Sequence, residues 1–380
     1  MEITDFEVIP LEHELEEGRS FGSSRGKTGT RFATLVRLET GDGTVGWGEA
    51  FAPPRTVATL VEELLADAVL GMDPYEVESF AEGALTGWHA GYHFGGHAFV
   101  SAAVSGVDLA CWDVIGKAAG EPVAKLLGGR ARETVVPYAS TGYVTEWGQD
   151  IAEPMREAAD EGFEATKIKI GRGVEDDVER VATAREHLGD DAHVMVDYNG
   201  NYDPKRVVRS VEALSEYDLT WIEEPVPAEN ESGYRQIRDR VDVPVAAGEA
   251  HYGRFEFKEL IDERLVDVVQ PNLGRVGGLS EARFVADLAT TENVSVRPHV
   301  WNSGVGVAAA LQYAASLPDY PHSENVPEPM LFEFDRSENP LRHEILETPF
   351  DPTGGRLDVP QAPGLGIEVD EDAVERYRVD

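Results

Sequence analysis

Ala165-Thr-Lys-Ile-Lys-Ile-Gly171 places Lys167 and Lys169 on one face of a run of small and β-branched residues, which reads as a buried strand. The chain has seven lysines in 380 residues, so two of them spaced i, i+2 in an apolar strand set this stretch apart. Such side chains share a face. Two ammonium groups there need anions or a depressed amine pKa to compensate. Taken alone, Lys-x-Lys reads first as a salt-bridged edge strand, and the segments that follow reverse that reading.

Downstream of residue 135, short apolar runs alternate with charged amphipathic ones. Strands are predicted over 135–140, 165–171, 193–198, 220–224, 244–249, 266–272 and 294–299. Helices are predicted over 177–188, 204–216, 255–263, 278–290 and 305–316. Alternation with a period of about 26 residues is the pattern of a parallel barrel with its helices outside. A doubly wound open sheet is the rival, but no glycine fingerprint for a dinucleotide is present.

The strand ends are polar. Asp197, Glu223 and Glu249 each end one predicted strand, and 26 residues separate each from the next. In a barrel, equal spacing brings three carboxylates to one height at one mouth. Three converging carboxylates do not all stay ionised without a cation. Oxygen ligands without cysteine or clustered histidine suit a hard ion, Mg²⁺ before Mn²⁺. Gln270-Pro-Asn272 ends a further strand, and Pro298-His299 the last one read. His299 would lie roughly across the mouth from the lysine pair, where it is an acid/base candidate.

Upstream, residues 1–128 read as an α+β unit, with strands over 5–10, 30–39 and 45–50 and a hairpin turn at Gly41-Asp-Gly43. Helical patterns cover 56–70 and 98–119. The glycine- and serine-rich run at 18–29 reads as a flexible lid without a phosphate-binding fingerprint. Net charge is −38, from 71 acidic against 33 basic residues. That balance repels nucleic acid and anionic lipid. With lysine scarce beside arginine, it points to a halophilic cytoplasm whose cations screen the repulsion. No apolar run reaches the roughly 20 residues of a membrane span. Neither a signal-peptide pattern nor a cysteine pair is present, in keeping with a cytoplasmic location.

Lys167-x-Lys169, Asp197-x-Asn199, Glu223-Glu-Pro, Gly248-Glu249, Gln270-Pro-Asn272 with Gly277-Gly278, and Pro298-His299 together resemble the enolase superfamily, and within it the mandelate racemase group. Asn339-Pro-Leu-Arg and Pro363-Gly-Leu-Gly-Ile-Glu-Val are similar to that group's C-terminal signature. The resemblance implies a modified TIM barrel, (β/α)₇β, over 129–334, an α+β capping domain over 1–128, and a C-terminal segment, 335–380, returning to the cap. It implies one Mg²⁺ on Asp197, Glu223 and Glu249. Lys169 would be the base that removes the proton α to a substrate carboxylate, and Lys167 would neutralise charge on that carboxylate. His299 would act on the opposite face and Glu333 would hydrogen-bond the enolate. Asn199, Asn272, Arg25, Trp88 and His93 are candidate substrate contacts.

A lysine base near neutral pH requires a lowered pKa, expected here from burial and the second ammonium. The family's histidine is commonly backed by an aspartate, and Asn272 stands in that place. An amide does not stabilise an imidazolium as a carboxylate does, which favours His299 as an acid over a second base. The expected reaction is loss of water from a 2,3-dihydroxy acid of the aldonate type, giving a 2-keto-3-deoxy acid. Racemisation, epimerisation or cycloisomerisation through the same enolate is the alternative, and a non-catalytic homologue a third. The expected partners are a small carboxylate substrate and further copies of the chain.

Overall fold

Alternating burial along residues 3–14 and 30–40 makes one long antiparallel pair in the computed structural model, which describes residues 1–129, 132–145, 151–321 and 328–379. The first five strands are β1 (Ile3–Glu14), β2 (Phe21–Ser23), β3 (Gly26–Thr28), β4 (Thr30–Thr40) and β5 (Val45–Ala50). β1, β4 and β5 form the sheet of the capping domain. The helix Phe99–Ala119 packs on β5 at backbone contact distance: a Cβ on Gly48 would lie 2.1 Å from the Gly106 carbonyl. Glycine at that position therefore lets the helix seat against the strand that carries Glu49. By length and composition this helix, predicted over 98–119, could span a membrane, against the expectation that no apolar run is long enough; 94% of its apolar window is buried within the protein.

The barrel holds eight parallel strands: β6 (Thr134–Thr141), β8 (Ala165–Lys169), β9 (His193–Asp197), β10 (Trp221–Glu223), β11 (Val245–Ala247), β12 (Val268–Val269), β13 (Ser295–Val296) and β14 (Leu331–Asp335). They pair in sequence order as far as β13, and β14 pairs in parallel with β6. Seven α-helices fall in the seven intervals between consecutive barrel strands, so the (β/α)₇β reading holds. Inside the barrel a plug of Tyr138, Ala165, Met195, Trp221, Ala246, Val268 and Leu331 fills the lower layer. The later strands are shorter than their apolar runs predict. Glu249, Gln270, Asn272 and His299 sit just past strand ends, where the chain leaves the ladder and turns its polar side chains over the mouth.

The run at 18–29 is a paired structure rather than a bare loop. β2 pairs with β3 and with β7 (Val144–Thr145), a short strand directly after β6. The lid hairpin is thus hydrogen-bonded to the barrel rim, and Ser24 Oγ donates to the Tyr198 carbonyl at 3.0 Å. β15 (Leu357–Asp358) pairs antiparallel with β6. Beyond it the chain reaches the cap, where the Val379 N–H donates to the Pro10 carbonyl at 3.0 Å. A buried ionic knot joins cap, lid and barrel. Asp335 Oδ2 lies 2.9 Å from Arg31 Nη2 and 3.0 Å from Arg342 Nη1. The Arg31 guanidinium stacks at 4.2 Å over Phe21 of the lid and 4.4 Å over Trp301.

Candidate active site

Strand register builds the site. Lys169 pairs with Asp197, and Asp197 with Glu223, so three functional side chains share one rung across β8, β9 and β10. Glu249 follows from the loop after β11. One carboxylate oxygen from each of Asp197, Glu223 and Glu249 can be chosen so that all three lie within 4.8 Å of one another. The equal spacing in sequence thus becomes convergence in space. Burial among like charges raises the Glu223 carboxyl to about 7, with the Lys167 ammonium opposing.

These residues fit a hard divalent cation. The donor set is all oxygen. Glu249 Oε2, although 3.2 Å from His299 Nε2, takes no hydrogen bond, and the buried Asn199 Oδ1 beside it in the cavity wall takes none either. Asp197 is held for the purpose by the Asn199 N–H at 2.7 Å, and Glu223 Oε2 by Gln270 Nε2 at 2.7 Å and Trp221 Nε1 at 3.2 Å.

The two lysines have separate places. Lys169 Nζ lies 2.6 Å from Asp197 Oδ2 and lines a cavity of about 380 Å³. Lys167 is fully buried one layer below, 2.5 Å from Glu223 Oε1 and 2.8 Å from Glu333 Oε1, and does not line that cavity. Direct contact between Lys167 and a substrate carboxylate is therefore not part of this arrangement. The expected depression of the Lys169 pKa is also absent. Burial and the second ammonium both pull it down, but Asp197 and its neighbours outweigh them and the shift is upward.

Glu333 accepts from Ser140 Oγ at 2.8 Å and from the Val300 N–H at 2.8 Å. Against the effect of burial, Lys167 holds its carboxyl below the ordinary value. Glu333 is therefore an acceptor, and donating a hydrogen bond to an enolate would require a proton it does not carry here. His299 is buried, and burial lowers its pKa, so the ring is neutral at pH 7. Its Nε2 side faces the cavity, 3.2 Å from Glu249 Oε2 and 3.8 Å from Glu333 Oε2. On the other side, Asn272 Nδ2 lies 2.9 Å from Nδ1. Both carboxylates approach the ring from the cavity, so Asn272 does stand where the backing acid was expected.

Of the proposed substrate contacts, Arg25 and Asn199 line the cavity, together with Lys27 from the lid and Tyr143 and Trp301 from the rim. Asn272 lies beneath His299 rather than in the wall. His93 is elsewhere: it borders a separate groove in the capping domain with Leu64, Phe80 and Phe94, just after a π-helical turn at Trp88–Tyr92. The Trp88 side chain lies outside the described residues. Gln270 and Ser140 were not assigned a role by sequence. Gln270 alone had a local signal, being part of a quoted strand end.

Comparison with known proteins agrees with this geometry. The family model "Mandelate racemase / muconate lactonizing enzyme, N-terminal domain" matches residues 11–128, and "Enolase C-terminal domain-like" matches 150–373. D-galactarolactone cycloisomerase of Agrobacterium fabrum is 37% identical, covering 100% of this chain and 99% of its own length. Arabinonate dehydratase of Saccharolobus solfataricus is 31% identical over 90% of each. The solved structure of 3,6-anhydro-D-galactonate cycloisomerase from Zobellia galactanivorans superimposes with a TM-score of 0.88 at 31% identity over the full length of both chains.

Proposed function

The chain belongs to the mandelate racemase/muconate lactonizing enzyme group of the enolase superfamily, and from that premise we propose that it is an acid-sugar dehydratase acting on an aldonate-type 2,3-dihydroxy acid. The observation that carries this reading is the pairing of Lys169 and His299 in the wall of one cavity, over three converging carboxylates. Lys169 takes the proton α to the substrate carboxylate. His299 donates a hydrogen bond from Nε2 to the oxygen leaving the β carbon; the proton taken by Lys169 passes to that oxygen as water departs, which restores the free amine, and the enol product tautomerises to a 2-keto-3-deoxy acid. Asp197, Glu223 and Glu249 would hold Mg²⁺. That ion would supply positive charge to stabilise the developing enolate, and Asp197, as its ligand, would hold the Lys169 proton less tightly. Lys167 and Glu333 fix each other and Glu223 beneath the reacting atoms, while the lid with Arg25 and Lys27 keeps water out and reads the distal hydroxyls.

A second reading is favoured by the cycloisomerase that is 37% identical along the whole chain. Scission of a C–O bond at the β carbon loses water when the oxygen is a free hydroxyl. It opens a ring without loss of atoms when the oxygen belongs to a lactone or cyclic ether. The same base and the same hydrogen-bond donor serve both. Incubation with Mg²⁺ and a panel of aldonates, aldarates and their lactones, in molar KCl, separates them by assaying keto-acid formation and substrate mass. Product 18 mass units below substrate means dehydration, and an unchanged mass means isomerisation. No keto acid from any member of the panel would remove both readings.

The proposal includes a cytoplasmic, salt-adapted protein, supported by its net charge of −38. It also includes self-association, supported by the exposed Tyr92, Phe94 and Phe99 on the cap. Light scattering in high salt tests the assembly, and a monomer would count against it.

A further inference from the structure

His299 is backed by a buried chain of hydrogen bonds that leaves the barrel and ends on the capping domain. Asn272 Nδ2 reaches His299 Nδ1 at 2.9 Å and also donates to Asn302 Oδ1 at 2.9 Å. Asn302 Nδ2 donates to Glu49 Oε1 at 3.1 Å. Glu49 lies on β5 and is completely buried. It also accepts from Ser303 N at 3.1 Å, Ser303 Oγ at 2.6 Å and Gly306 N at 3.0 Å. All three donors sit at the N-terminus of the helix Gly304–Ser316: the N–H and hydroxyl of its N-cap, Ser303, and the N–H of Gly306 in its first turn. Among the described residues no cation pairs with Glu49. Burial raises its pKa, the hydrogen bonds oppose this, and the positive end of a 13-residue helix favours the anion. The space is fitted to the carboxylate: a Cβ on Gly306 would lie 2.7 Å from Glu49 Oε2 and 2.5 Å from the Asn302 Cβ.

The direction of every hydrogen bond follows from that anchor. A carboxylate only accepts, so the Asn302 amide turns its NH₂ toward Glu49 and its oxygen toward Asn272. Asn272 must then present NH₂ to Asn302, in agreement with its oxygen accepting from the Gly274 N–H at 3.0 Å. The second hydrogen of the same NH₂ meets His299 Nδ1, which must offer a lone pair. The ring proton is therefore on Nε2, facing the cavity. We propose that Glu49 is a positioning residue of the capping domain that, through Asn302 and Asn272, fixes His299 as the Nε2–H tautomer. Asn272 is then more than a weakened aspartate. A carboxylate at 272 would demand a proton on Nδ1 and leave Nε2 as a base, whereas the anchored amide leaves Nε2 as the donor. This rests on the proposed function only in taking His299 as the hydrogen-bond donor to the leaving oxygen.

The test is ¹⁵N NMR of the full chain labelled at histidine, near neutral pH, with the His299 signals assigned by their loss in His299→Gln. The wild-type protein is expected to show a protonated Nε2 and an unprotonated Nδ1. Asn272→Asp should move the proton to Nδ1. Glu49→Gln should lower the Nε2-protonated fraction and, if the proposed function holds, lower kcat on the order of 10²-fold with a smaller change in KM. If Glu49→Gln does not fold, Asn302→Ala cuts the same link and is read the same way. A proton on Nδ1 in the wild type overturns the proposal, as does a folded Glu49→Gln protein with unchanged tautomer. The expected tautomer in a protein inactive on every acid sugar would leave the relay standing and defeat the elimination reading instead.

Discussion

Replacing Asp335 by asparagine should unfasten the cap from the barrel. The Asp335 carboxylate is buried between two guanidiniums whose side chains are each 4% exposed, at 2.9 and 3.0 Å, and its other oxygen accepts from Tyr143 OH at 2.7 Å and the Ser337 N–H at 2.9 Å. Asparagine keeps the shape but removes the charge, and its NH₂ must face either the guanidiniums or the Tyr143 and Ser337 donors. Breaking a buried ion pair costs about 3–5 kcal/mol, and two cations are stranded here, which points to the upper end. An unfolding entropy of about 2.1 cal/mol/K per residue over 380 residues makes each kcal/mol worth roughly 1.3 °C, so the melting temperature should drop by about 6 °C. The assay is a thermal scan by circular dichroism at fixed scan rate in molar KCl, across pH.

The pH dependence has a definite sign. Opposed by burial, Arg31 and Arg342 hold the Asp335 pKa below its ordinary 3.8. Its contribution is therefore present above pH about 4 and is lost as pH falls through the depressed folded value. The gap between wild type and Asp335→Asn should be full at neutral pH and close only in strong acid. A drop under about 3 °C at pH 7, or a gap that stays constant into acid wherever both proteins remain folded, would refute this reasoning. Because Arg31 also carries the lid's Phe21, KM should rise as well.

Lys169→Ala should leave the circular dichroism spectrum unchanged while kcat falls at least on the order of 10²-fold; full turnover would remove Lys169 as base. Gln270→Leu strips a 2.7 Å hydrogen bond from Glu223. Mn²⁺ affinity, read by calorimetry or paramagnetic resonance, should weaken about 10–100-fold, and unchanged affinity would mean that Glu223 is not a ligand. With −38 net charge, the melting temperature should climb between 0.1 and 2 M KCl as the screening length falls from about 10 Å to below about 3 Å; equal melting would argue against salt adaptation.

Local pattern by itself determined the barrel and its trio of converging carboxylates. The alternation of short apolar runs with amphipathic ones is a property of contiguous residues. Equal 26-residue intervals convert directly into strand register, which is why Asp197 and Glu223 pair as their spacing predicts. Tertiary packing decided the rest. Lys167 and Lys169 share a face and a composition, yet one is buried beneath the mouth and the other lines it, because depth in a barrel depends on what fills the layer below. His93 lines a groove of the capping domain and not the mouth, a placement set by how the cap packs. Glu49 gained its role from partners 253 to 257 residues away. Its carboxylate is an ordinary strand residue until the fold brings a helix N-terminus against it, and that approach is set by packing between segments distant in the chain.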